Sequence, residues 1–125
     1  MNSNPGGAFR PTVLLALALI LASCAGLSYS HTGRMWDLPG ENSISSDTIA
    51  PSRDVTLAVT GTLAAGSVTV TVYADDVARE EPLSVSPAAS VNARRTFDYA
   101  PGLWRFEAEA ADGSSGSLYI EIEDR

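Results

Sequence analysis

From Asp54 onward the sequence alternates with a period of two, and that period excludes a helical domain. Val55, Leu57 and Val59 alternate with Thr56, Ala58 and Thr60, while Val68, Val70 and Val72 alternate with Thr69, Thr71 and Tyr73. Successive side chains of a strand point to opposite faces, so each run builds one apolar face and one polar face. Trp104, Phe106, Ala108 and Ala110 alternate with Arg105, Glu107 and Glu109; Leu118, Ile120 and Ile122 alternate with Tyr119, Glu121 and Glu123. Gly-containing stretches at 61–66 and 112–116 separate the runs, and the pattern predicts two β-hairpins. Shorter runs at Leu83 and Val85 and over 91–99 complete the set; Arg95 shares a face with Phe97 and Tyr99, which marks an edge strand. No stretch after Cys24 places apolar residues at helical spacing. About six strands with one apolar face each can bury those faces only against one another, so the expected fold is all-β, a small antiparallel β-sandwich over 54–125. Trp104 shares parity with Phe106 and is expected at its core.

The first quarter of the chain is of another kind. Arg10 precedes an uncharged apolar run over 13–22, about ten residues, which suits a signal sequence and is too short to span a bilayer. At its end stand Leu21, Ala22, Ser23 and Cys24, which resemble the lipobox of bacterial lipoproteins. The resemblance implies that residues 1–23 are a signal peptide removed before Cys24, with Leu21, Ala22 and Ser23 recognised by the peptidase. It also implies acyl chains on Cys24 that attach the protein to a membrane of the bacterial cell envelope. Ala25, which is not Asp, implies the outer membrane where the host is Gram-negative. A plain secretory signal cut after Ala25 is the alternative.

Residues 24–53 are rich in Ser, Gly, Pro, Asn and Thr, with isolated apolar residues, and read as the lipidated terminus and a flexible tether. Trp36 is costly to leave in water; whether it docks onto the domain stays open. All fifteen acidic residues lie beyond Ser23, the chain has no Lys, and of its eight Arg only Arg94 and Arg95 adjoin. Such a surface disfavours nucleic acid, whose binding needs clustered cations. Cys24 is the only cysteine, so no disulfide within the chain is expected to support the fold.

A second resemblance covers roughly 54–123. The strand over 66–72, the Ala100, Pro101, Gly102 opening of an aromatic strand and the closing Leu118, Ile120, Ile122 strand look like small export-associated sandwiches of the bacterial pre-peptidase C-terminal type. That resemblance implies an accessory module without catalysis.

Groups able to carry chemistry are few. His31 is the only His, falls in the expected tether, and has no neighbouring Cys, Asp or Glu in sequence to build a metal set or triad. No Ser sits in a Gly-x-Ser-x-Gly elbow and no glycine-rich loop precedes a helix. No cofactor and no enzymatic activity are expected. Glu107, Glu109, Glu121 and Glu123 fall on the polar face of the second predicted hairpin; they read as a solvated face, with a weak calcium site as the alternative. Asp75, Asp76 and Asp112 offer further oxygens, but Asp at strand ends is ordinary turn chemistry. The expected function is a membrane-anchored lipoprotein carrying an interaction module with an envelope protein partner. A small-ligand or carbohydrate-binding module is the alternative, with Tyr73 and Tyr119 as its stacking face.

Overall fold

A computed structural model describes residues 29–125, and among these every regular element is a strand. The strands are β1 (His31–Leu38), β2 (Ser43–Ser45), β3 (Val55–Ala65), β4 (Val68–Ala74), β5 (Val77–Ala78), β6 (Leu83–Val85), β7 (Ala88–Phe97), β8 (Trp104–Ala110) and β9 (Ser115–Glu123). One sheet has the order β1-β9-β3-β7; the other has the order β2-β8-β4-β5, with β6 also paired to β4. All pairings are antiparallel. The all-β sandwich expected from the alternation is what the chain forms.

The core lies between the sheets. Leu57, Val59, Leu118, Ile120 and Ile122 from the first sheet meet Val68, Val70, Val72, Trp104 and Phe106 from the second, all of them buried. Trp104 is fully buried, as its parity predicts. Its indole Nε1 donates to the Ala100 carbonyl at 2.9 Å, and Phe97 meets it edge-on with centroids 6.2 Å apart. The indole N–H is thus satisfied without water, which is the condition for burying it cheaply.

Neither expected hairpin exists. β3 and β4 belong to different sheets, and so do β8 and β9, so the chain crosses between sheets at 66–67 and again at 111–114. Alternation shows that a strand has an apolar face; it does not distinguish a neighbour in the same sheet from one facing it across the core. The two crossings touch. Ser114 is buried, and its hydroxyl lies 2.6 Å from the Ala111 carbonyl and 3.1 Å from both the Ser67 carbonyl and the Ser67 amide. Gly66 has φ near +88°, and a Cβ there would fall on the Ser114 side chain. Any other residue would push the crossings apart.

The expected tether over 24–53 is corrected from His31 on. β1 pairs with β9 over eight positions, from His31 against Glu123 to Leu38 against Gly116. β2 pairs with β8, and Ile49 bridges Trp104. The strand was hidden because its inward set is half polar: Thr32, Trp36 and Leu38 are buried, but Arg34 shares their parity and reaches the Ser45 carbonyl at 2.8 Å. Trp36 docks as part of β1, with its Nε1 donating to the Glu41 carbonyl at 2.9 Å. Asp124 closes this region. Its buried carboxylate accepts from the amides of Ser30 at 2.6 Å and Ser52 at 2.9 Å, tying the chain entry and the 50–53 loop to the end of β9.

Arg95 does mark an edge, since β7 terminates the first sheet. Its guanidinium donates to the Glu81 carbonyl. An inward-leaning charge at a sheet margin opposes pairing with another chain.

Replacing Trp104 by Ala is expected to cost about 3 to 5 kcal/mol, because a buried indole leaves a cavity that strands cannot close. A urea melt of the variant measures it; an unchanged midpoint, or free acrylamide quenching of Trp104 in the native protein, would place the indole outside the core.

Candidate functional site

The outer faces of the two sheets carry two polar clusters on opposite sides of the molecule. On the first sheet, β1 and β9 bring His31, Tyr119 and Glu121 together. His31 Nε2 lies 3.2 Å from Glu121 Oε1 and 3.3 Å from the Tyr119 hydroxyl. Tyr29 meets the imidazole edge-on at 6.2 Å, and Arg125 stands 4.4 Å over the Tyr29 ring. His31 is therefore paired within a strand and does not sit in a tether.

The Tyr119 ring lies across Gly33, where a Cβ would fall on the phenol. Covering a glycine on an edge strand with an aromatic from the adjacent strand shields backbone that would otherwise stay wet. This covering, together with the hydrogen bond to His31, accounts for Tyr119 on the polar side of its strand. Burial beside Gly33 and then the neighbouring charge of Glu121 push the phenol above its ordinary pKa, with Glu123 adding to the effect.

On the second sheet, β8 presents Arg105 between Tyr73 on β4 and Asp76 in the turn that follows. The guanidinium stands 4.4 Å over the Tyr73 ring, lies 3.2 Å from Asp76 Oδ1 and pairs with Glu107. The hydrogen bond to Glu107 is the main influence raising its pKa; burial opposes it, and the hydrogen bond to Asp76 adds to the rise. Asp75 and Asp76 both have positive φ and form the two-residue turn between β4 and β5. The Asp75 carboxylate accepts from the Leu103 amide at 2.8 Å, so both acids are used in holding a turn.

The structure does not bring the sequence-predicted sets together. Tyr73 is on the second sheet and Tyr119 on the first, so they face opposite directions and share no stacking surface. Glu107 and Glu109 on β8 are likewise separated from Glu121 and Glu123 on β9 by the thickness of the core. Glu107 pairs with Arg105, Glu121 with His31, and Glu123 lies 3.7 Å from Arg125. Among the described residues no group of three or more His, Cys, Asp or Glu side chains is placed to hold a metal ion. The hollows lie at the end where the chain changes sheet. One, of about 420 Å³, is lined by Thr62, Leu63, Ala64, Pro87, Ala88 and Ala89, none of which titrates. Leu21, Ala22, Ser23 and Cys24 lie outside the described residues.

No protein-family model matches the chain, and no curated protein sequence does. Among solved structures it is similar to the pre-peptidase C-terminal domain of a collagenase from Bacillus anthracis. The TM-score is 0.51 at 11% identity, over 74% of this chain and 88% of that one. It also matches a family 35 carbohydrate-binding module from Clostridium thermocellum (TM-score 0.42, 11% identity, 76% and 97% covered). A CBM36 module in complex with calcium and xylotriose is matched at TM-score 0.40 and 12% identity, over 73% and 85%. The first likeness agrees in fold with the resemblance drawn from residues 54–123. The other two add nothing to it.

Two outcomes are expected. Millimolar calcium leaves the melting temperature of the protein from Ala25 onward unchanged, since its carboxylates face opposite sides; a rise abolished by Glu107→Gln with Glu121→Gln would restore the acidic-site reading. In a phenolate absorbance titration, Tyr119→Phe removes a phenol that ionises above the ordinary range. Because the folded-state pKa is raised, the stability linked to Tyr119 is fully present below the unfolded-state pKa and is lost as pH rises through the folded one.

Proposed function

We propose that this chain is a lipoprotein of the bacterial envelope, held to the membrane by acyl chains on Cys24 and carrying a non-catalytic β-sandwich that serves as an interaction module for an envelope protein. The observation that carries the reading is the position of the first strand: β1 is already paired to β9 at His31, seven residues after the Cys of the lipobox-like motif. The described residues that follow the motif form one sandwich. Its polar outer clusters are internally paired, through Arg105 with Asp76 and Glu107 and through His31 with Glu121, an arrangement that suits a stable surface better than turnover. The outer membrane is the expected location where the host is Gram-negative. A small-ligand or carbohydrate-binding module would need a face other than the Tyr73 and Tyr119 pair.

Cys24→Ser is expected to abolish membrane attachment and to leave the precursor uncut. Metabolic labelling with a fatty acid reads both. Label retained by the variant, or a wild-type mature chain beginning at Gly26, would overturn the lipoprotein reading.

A further inference from the structure

The end of the sandwich where the chain enters carries apolar side chains that the core leaves exposed. The strand registers fix which loops share that end. His31 opposes Glu123 where β1 begins, Val55 opposes Phe97 where β3 begins, and Ala74 opposes Trp104 where β4 ends. The entry at Tyr29, the loop between β7 and β8 and the turn between β4 and β5 therefore lie together. Of the five large hydrophobic residues exposed among those described, four are here: Tyr29 at 38%, Tyr99 at 45%, Leu103 at 53% and Val77 at 64%. The fifth, Met35, is on the outer side of β1. Two of the four sit on fixed backbone. The Tyr99 amide donates to Asp54 Oδ1 at 2.8 Å, and Leu103 exchanges two hydrogen bonds of 2.8 Å with Asp75.

The distance to Cys24 decides what these side chains meet. Resting on the lipoprotein reading above, the acyl chains sit on Cys24, and residues 25–30 alone separate it from β1. A fully extended chain covers at most about 3.5 Å per residue, so β1 begins within roughly 25 Å of the lipidated sulfur. That is no more than the length of β1 itself, at about 3.3 Å per residue. The entry end is thus the end held against the bilayer. Tyr and Leu gain by moving from water into the headgroup region, where a phenol keeps its hydrogen bonds and a Leu side chain is partly dried. Charge selects the lipid. Asp54, Asp75, Asp76, Asp98, Glu123 and Asp124 outnumber Arg53, Arg79, Arg105 and Arg125 at this end, which disfavours an anionic surface.

We infer that the entry end of the sandwich docks on a zwitterionic phospholipid surface, with Tyr99, Leu103 and Val77 at headgroup level and the crossings at 66–67 and 111–114 facing away from the membrane.

The test uses the lipidated full-length protein in phosphatidylcholine vesicles. Its native thiol is consumed by the lipid, so Leu103→Cys, Val77→Cys and, at the far end, Asp112→Cys each supply a single site for an environment-sensitive fluorophore. Labels at 103 and 77 are expected to shift to the blue and to be quenched by nitroxide lipid several-fold more than the label at 112. The contrast is expected to persist when a Gly/Ser spacer of about 20 residues is inserted after Ala25, and to weaken when phosphatidylserine is added. Equal quenching at 103 and 112 in protein that floats with the vesicles overturns docking, as does a contrast that vanishes with the spacer. Protein that does not float at all overturns the lipid anchor, and the docking with it.

Discussion

The hydroxyl of Ser114 joins two of the places where this chain changes sheet, the crossings at 66–67 and 111–114. It accepts from the Ser67 amide in one crossing, and its single proton lies between the Ala111 carbonyl at 2.6 Å and the Ser67 carbonyl at 3.1 Å. β3 and β9 pair in one sheet and β4 and β8 in the other, so the two crossings run side by side, and each holds the other in place. The Ser114 contact reinforces the backbone hydrogen bond of 2.9 Å from the Ala111 amide to the Ser67 carbonyl, which joins the same two crossings. Gly66 makes the approach feasible because it supplies both the positive φ and the missing Cβ. Asp124 plays the matching part at the opposite end, where a single carboxylate gathers the amides of Ser30 and Ser52. A sandwich with no cysteine among its described residues is thus closed at both ends by hydrogen-bonded side chains around one apolar interior.

The side of β3, β4, β8 and β9 that faces inward is legible from the sequence; the pairing of these strands is not. Val55 to Val59, Val68 to Val72, Trp104 to Ala108 and Leu118 to Ile122 all bury the predicted parity. Parity is set by local geometry, whereas the choice between hairpin and crossing depends on which apolar face finds which partner, and that information is spread over the whole chain. β1 is not legible in the sequence for a related reason. Arg34 and Thr32 occupy inward positions at an edge, where the sandwich opens and a long cationic side chain can reach a carbonyl, so the pattern looked irregular. β5 has only two residues, set by a turn of Asp75 and Asp76, and offers no periodicity.

The candidate sites follow the same logic. Glutamates that alternate on consecutive strands look like one acidic surface when the strands are taken as a hairpin. Once the strands separate, the charges fall on opposite sides and three of the four find a local counterpart: Arg105 for Glu107, His31 for Glu121 and Arg125 for Glu123. The outward tyrosines divide in the same way. Tyr73 lies under a guanidinium, while Tyr119 fills the space left by Gly33. Its role could not be read before β1 was known to be its neighbour, because the glycine that it covers lies far away in sequence.

The eight-position register of β1 against β9 has a mechanical consequence. The ladder begins at His31, close to where the described chain starts, so a pull along the axis of β1 is taken up by the whole ladder. Inter-strand hydrogen bonds of an antiparallel pair lie perpendicular to that axis. A force applied there, against resistance at the far end of the sandwich, loads the ladder in shear, so that many bonds share the load instead of parting one by one. The sandwich is therefore built to withstand traction at the start of β1 better than peeling from its side.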